Sequence, residues 1–188
     1  MAIPNKISYT TAEEYLAAEK LADAKHEYVD GEIYAMAGSS ARHYRLTRNI
    51  GRKLENHLAV SDCEVFLTDM KTKVSDIVYY YPDVVATCEK IEDLQDVISQ
   101  PILIVEVLSP STAAKDRREK LIAYKLIDSL QEYAIVWQDE MRIELHRRQD
   151  EIDWLTFFFT NPDDEVEFSS IDYRTSLSEI YHRINFQQ

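Results

Sequence analysis

Glu106 stands alone in the run Ile102–Leu108, ILIVEVL, with six apolar residues around one carboxylate. Continuous apolar runs of this length, closed here by Pro101 and by Ser109-Pro110, are the pattern of a strand covered on both faces. An ionised carboxylate is expensive in such a place unless a cation or several donors meet it. Glu106 therefore either binds something or carries a proton. About twenty residues upstream, Tyr79–Ala86 reads YYYPDVVA and carries a second lone acid, Asp83. Two lone acids on two buried strands suggest a divalent metal site. The alternative is that one or both lie at a strand end in solvent, or bond locally.

Other chemistries lack their signatures. There is no GxSxG, no paired Cys/His motif and no glycine-rich phosphate loop. Cys63 and Cys88 have no metal-ligand spacing and read as free, buried thiols of a reducing compartment. The N-terminal MAIPNKISYTTAEEY lacks the charged-then-apolar pattern of a signal peptide. No apolar run approaches the ~20 residues that span a bilayer. A cytoplasmic location is the expectation.

The chain of 188 residues is 45% hydrophobic and has three glycines and five prolines, which suits one compact domain of ordinary core, residues 1–188. Its net charge of −13 opposes simple nucleic-acid binding, because phosphate neutralisation needs Lys and Arg. The charge is uneven, however. Arg42, Arg45, Arg48, Arg52 and Lys53 share one stretch without an acid, and Lys115, Arg117, Arg118, Lys120 and Lys125 form a second, diluted cluster. Acids crowd Glu89–Asp96 and Asp150–Glu167 instead. Local basic helices on such a molecule could hold a polyanion weakly and salt-sensitively.

The elements that must position the two acids follow from local signals. Thr11 with Glu14 makes a capping box for a helix over roughly 11–20, with Tyr15, Leu16 and Leu21 as its apolar side. Asp30-Gly31 between β-prone runs predicts a hairpin. Ser39 or Ser40 caps a second helix to about Leu58, with Leu46, Ile50, Leu54 and Leu58 as core stripe and Arg45, Arg48 and Arg52 off it. Strands are expected at about 64–68, 72–74, 79–87 and 102–108, with 89–100 as an exposed loop or helical turn. Ser111 or Thr112 then caps a helix over about 113–127, with Leu121, Tyr124 and Leu126 or Ile127 inward. EYAIVW is a buried strand, RIELHR a half-exposed one, and DWLTFFF and EVEF two late strands. A short helix capped by Ser176 closes the chain. This order predicts a mixed α/β domain around a mostly antiparallel central sheet, with a strand–helix–strand crossover at 102–137.

The combination YPDVV, EVLSPST and KDRREKLIAYKLIDSLQEYAIV, with EEYL, HEYVDGEIYAMAG, His43 and CEVFLTDMKTKV before it, resembles the PD-(D/E)XK nuclease superfamily. Within it, the match is to the group of restriction-endonuclease-like proteins abundant in cyanobacteria, along most of the chain. The resemblance implies a restriction-endonuclease-like core and a magnesium-dependent phosphodiesterase site, with Mn²⁺ as a substitute ion. Hydrolysing a phosphodiester needs a cation to offset charge on the transition state, and an activated water. Asp83 and Glu106 would bind Mg²⁺, with the Val107 carbonyl as a further ligand. The family's lysine usually lies two residues after the second acid. Leu108 stands there, so Lys120 on the following helix is the replacement, unless it is a solvated residue paired with Asp116.

The resemblance also makes Glu27 an additional acid and places His43 near phosphate or water, against the plain reading of both as polar surface residues. Asp69, in the turn of LTDMKTK, matches a recurring acid, though Asp is an ordinary turn former. Tyr124 follows Lys120 by one helical turn and either shields the site or packs the core. Arg45, Arg48 and Arg52 would guide a phosphate backbone. Tyr79–Tyr81 and Phe157–Phe159 serve the sheet, with one of them a candidate dimer surface. The leading reading is a Mg²⁺-dependent endonuclease acting on DNA as a homodimer. The alternatives are a catalytically degenerate binding or regulatory protein, and a metal-dependent phosphodiesterase on RNA or nucleotides.

Overall fold

The computed structural model describes residues 9–109 and 116–186. Helix α1 (Ala12–Glu19) starts at the capping box: the Glu14 N–H donates to Thr11 Oγ1, and the Thr11 N–H donates to Glu14 Oε2 at 2.8 Å. Reciprocal capping satisfies donors that a helix start leaves open. Tyr15 is buried, whereas Leu21 lies past the end of the helix and is exposed. Asp30 and Gly31, at φ 45° and 90°, turn the chain between β1 (His26–Val29) and β2 (Glu32–Ala35). Two positive φ values give the turn whose twist matches the paired strands. Ser40 caps α2 (Ala41–Leu58), and the predicted stripe Leu46, Ile50, Leu54 and Leu58 is buried. Gly51 lets this helix approach β3 (Glu64–Leu67), since a Cβ there would lie 2.3 Å from Leu67 Cδ2.

The strands sort into two main sheets where the sequence predicts one. β4 (Lys71–Ser75), β5 (Val78–Tyr80) and β7 (Val97–Ile98) join the first hairpin in the order β2-β1-β5-β4-β7. β6 (Val84–Thr87), β8 (Pro101–Leu108), β9 (Glu132–Trp137), β10 (Ile143–Arg148) and β11 (Trp154–Phe159) form the larger sheet, β11-β10-β9-β8-β6-β3. There β8 and β9 run parallel and the other pairs antiparallel, as the crossover requires. The predicted strand 79–87 is broken at Tyr81-Pro82-Asp83 into β5 of one sheet and β6 of the other. Proline has no N–H for a ladder, so a break there costs no interior hydrogen bond. The stretch 89–100, expected without a strand, contributes β7 along β4.

Both faces of the larger sheet are covered. On one lie the α2 stripe and the C-terminal part, where β12 (Glu165–Phe168) pairs with β13 (Tyr173–Ser176) before α4 (Leu177–Ile180), capped by Ser176. On the other lie Tyr124 and Ile127, with Tyr80 and Val78 of the smaller sheet. The helix expected over 113–127 is shorter and less regular. Its predicted Ser111 or Thr112 cap lies outside the described residues. Asp116–Lys120 is a π-helical turn, α3 spans Leu121–Lys125, and Leu126 is exposed while Tyr124 and Ile127 are buried. RIELHR is more buried than its alternation suggests, because helix and sheet cover both sides of β10 from Ile143 to His146. Tyr79, Tyr80 and Tyr81 are all buried, whereas Phe158 is exposed on edge strand β11.

The cysteines depart from the expectation of free, buried thiols. Glu64 pairs with Thr87, and one further step of this antiparallel register sets Cys63 opposite Cys88. They form a disulfide with Cα atoms 4.0 Å apart, and Cys88 is exposed. A crosslink over 25 residues removes roughly 3 kcal/mol of unfolded-chain entropy. Urea denaturation of the oxidised protein with and without dithiothreitol should show that loss, and Cys88→Ser should be insensitive to the reductant.

Candidate active site

The break at Pro82 positions the first acid. Asp83 immediately precedes β6, and its carbonyl accepts from the Thr68 N–H at 3.1 Å. Val84 pairs with Val105, so one step along the register sets Asp83 across from Glu106. The Asp83 carboxylate reaches β8: Oδ2 accepts from the Val107 N–H at 2.7 Å. An N–H and C=O of one residue in a strand point to the same side. The Val107 carbonyl therefore faces the edge where Asp83 lies, as a further oxygen ligand would have to. From the other side, His43 of the first turn of α2 brings Nε2 to 3.2 Å from Asp83 Oδ2. The sequence assigns His43 to phosphate or water; the structure sets it on the acid.

Glu106 is 4% exposed. The sequence left it either bound or protonated, and the structure supplies a cation from the chain itself. Lys120 Nζ lies 2.8 Å from Glu106 Oε1 and 2.8 Å from Glu27 Oε1. All three side chains are buried. Lys120 is thus no solvated helix residue, and Glu27 no surface strand residue. The Tyr124 hydroxyl donates to Glu106 Oε1 at 2.9 Å. Burial first, and the Glu106 charge second, push this phenol well above its ordinary range. It stays a neutral donor at any ordinary pH. Tyr80, whose ring lies 5.3 Å from Lys120 Nζ, is raised by burial to about 12. Sequence reading had no signal for Tyr80 beyond its aromatic run.

The π-helical turn ends at Lys120, and Lys120 and Tyr124 are four residues apart, so both meet the same carboxylate. Turns of this kind recur at functional sites. Mg²⁺ is commonly bound by one or two carboxylates, a carbonyl and water. The donor set Asp83, Glu106 and Val107 fits that pattern. Among the described residues no three His, Cys, Asp or Glu side chains converge into a denser cage.

The remaining candidates separate. Asp69 is exposed and its carboxylate is ion-paired with Lys25. Arg45, Arg48 and Arg52 lie on the solvent side of α2. At 1.5 Å per residue they follow His43 by roughly 3, 8 and 14 Å along the helix. Arg45 lines a cleft with Arg42 and Arg183, while Arg52 lines another with Lys53 and Glu179. Gln138 and Arg183 of the first cleft were missed. Gln138 carried a faint signal as the polar residue ending EYAIVWQ; Arg183 carried none.

Comparison with known proteins agrees with this architecture. Residues 12–173 match the model of the Uma2 family, described as "Putative restriction endonuclease". Two uncharacterised proteins of Synechocystis sp. (strain ATCC 27184 / PCC 6803 / Kazusa), slr1290 and sll1609, are each 37% identical to the chain. The first alignment covers 93% of this chain and 92% of the relative, the second 85% and 92%. A crystal structure from Anabaena variabilis ATCC 29413, described as a "putative nuclease belonging to DUF820", superposes with a TM-score of 0.75 at 18% identity. It covers 92% of this chain and 97% of that one, a likeness of fold. With a restriction-endonuclease-like fold and a family match over most of its length, the chain belongs to the Uma2 family.

Proposed function

We propose that the protein is a Mg²⁺-dependent endonuclease that hydrolyses phosphodiester bonds in DNA. The observation that carries this reading is Asp83 set across from Glu106 at the end of β8, with Lys120 held on Glu106 at 2.8 Å. Asp83, Glu106 and the Val107 carbonyl would hold the ion. When bound, Mg²⁺ offsets the charge that develops on the phosphoryl oxygens and makes water more acidic. Lys120 lies beside the attacking water and orients Glu106. Tyr124 fixes the same carboxylate, and His43 fixes Asp83. Glu27 balances Lys120. Arg45, Arg48 and Arg52 contact the phosphate backbone along α2, giving weak, salt-dependent affinity.

Cutting both strands of a duplex calls for two sites, and we assign the working form to a C₂ homodimer. It acts in the cytoplasm, where the Cys63–Cys88 pair would stand largely reduced. The test is cleavage of supercoiled plasmid in Mg²⁺ by wild type and Asp83→Asn. The variant should be slower by about 10²–10³-fold; equal rates would overturn the reading. Competition by RNA and nucleotides checks the choice of DNA. A second reading, a binding protein that keeps the fold, is favoured by the net charge of −13 and by Leu108 standing where the family's lysine usually lies. It requires no saturable Mn²⁺ site.

A further inference from the structure

The first turn of α2 borders a cleft of about 420 Å³ lined by three arginines, Arg42, Arg45 and Arg183, and, among the described residues, by no Asp or Glu. In a chain with 34 acids and a net charge of −13, a wall free of acids concentrates positive potential. Arg42 is fixed there. Its Nη1 donates to the Gln138 carbonyl at 3.2 Å and its Nη2 to the Asn185 carbonyl at 2.9 Å, beside the Phe186 ring. A guanidinium has five N–H donors, so these bonds leave three. Arg183 sits at φ 61°, a left-handed conformation that residues with a side chain rarely adopt.

The cleft is tied to the acid pair. Ser40 Oγ donates to Gln138 Oε1 at 2.8 Å, and Gln138 Nε2 donates to the Leu108 carbonyl at 2.7 Å, one residue beyond Val107. His43, three residues after Ser40, contacts Asp83. A ligand in the cleft would thus lie beside a bond held at Asp83 and Glu106.

We propose that the Arg42–Arg45–Arg183 cleft is a phosphate subsite, which holds a phosphate of the substrate strand flanking the bond to be cut. The identity of this strand rests on the nuclease reading above; the anion affinity of the cleft does not. Planar guanidinium groups bind phosphate through paired N–H donors, a geometry that lysines cannot offer. The phosphate comes from a strand terminus or from an internal diester. Three cations in a concave site favour a terminal monoester, which carries nearly two charges.

The test is fluorescence anisotropy in EDTA, where cleavage plays no part, with one labelled oligonucleotide carrying either a 5′-phosphate or a 5′-hydroxyl, and with pyrophosphate as competitor. Arg183→Gly removes one guanidinium and relieves the left-handed backbone, so its thermal unfolding should match wild type. Binding should weaken by about tenfold, as expected for charge-assisted hydrogen bonds. The salt slope should fall by about one unit. A wild-type preference for the 5′-phosphate that disappears in the variant places a terminal phosphate in the cleft. Equal weakening of both oligonucleotides places an internal one there. Wild-type affinity of both Arg183→Gly and Arg42→Ala for both oligonucleotides and for pyrophosphate would overturn the subsite. Pyrophosphate binding that depends on Arg183, in a protein that cuts nothing, would keep the subsite and remove the nuclease reading.

Discussion

Glu106→Ala should lower Mg²⁺-dependent cleavage by on the order of 10³-fold and abolish a saturable Mn²⁺ site in calorimetry. The two readouts separate a ligand from a merely structural acid. A carboxylate that only balances Lys120 would alter stability and leave ion binding alone. Stability should fall as well, by about 1–3 kcal/mol, because Lys120 loses one of its ion pairs and the buried Tyr124 hydroxyl loses its acceptor. Equal, weak Mn²⁺ binding in wild type and variant would remove Glu106 from the ligand set and put the non-catalytic reading ahead.

Lys120→Met should be the most destabilising single change at the site. It leaves Glu27 and Glu106, both buried, without the cation that each meets at 2.8 Å. Breaking a buried pair by removing one partner typically costs about 3–5 kcal/mol, since an uncompensated charge remains. Adding Glu27→Gln to Lys120→Met removes one of those acids and should recover part of the loss. The pair of changes is therefore non-additive in urea denaturation. Lys120→Arg keeps the charge, but its planar fork does not reproduce a point donor between two carboxylates. It should retain more stability than Lys120→Met while losing most of the cleavage. A solvated Lys120 would make all three variants indistinguishable from wild type in stability.

Much of the architecture was legible because its signals are local. The capping box at Thr11, the Asp30-Gly31 turn, the four-step leucine and isoleucine stripe of α2 and the Ser176 cap each depend on residues within a few positions of one another. The ILIVEVL run announced both a doubly covered strand and a carboxylate in need of a partner, and β8 has both. Asp83, Glu106, Lys120 and Glu27 were named from the residues and the family resemblance together. Residue type alone had no means of choosing between a solvated Lys120 and a buried one.

What only the tertiary structure decided depends on register and on contacts distant in sequence. Pro82 is visible in the sequence, but its effect, dividing one apolar run between two sheets and leaving Asp83 at the seam, requires knowing which partners each half takes. The cysteines are 25 residues apart without a recognised spacing; one antiparallel register puts them face to face. Lys120 reaches Glu27 across about half of the chain, and Arg183 meets Arg42 only because residues 183–186 fold back over the first turn of α2. The sequence by itself determined the two lone acids and the apolar runs that carry them, since a carboxylate in such a run needs a partner, whereas Lys120 was named only through the family resemblance. The three-dimensional packing decided which charges meet, because Coulomb and hydrogen-bond energies fall off over a few ångströms and take no account of separation along the chain.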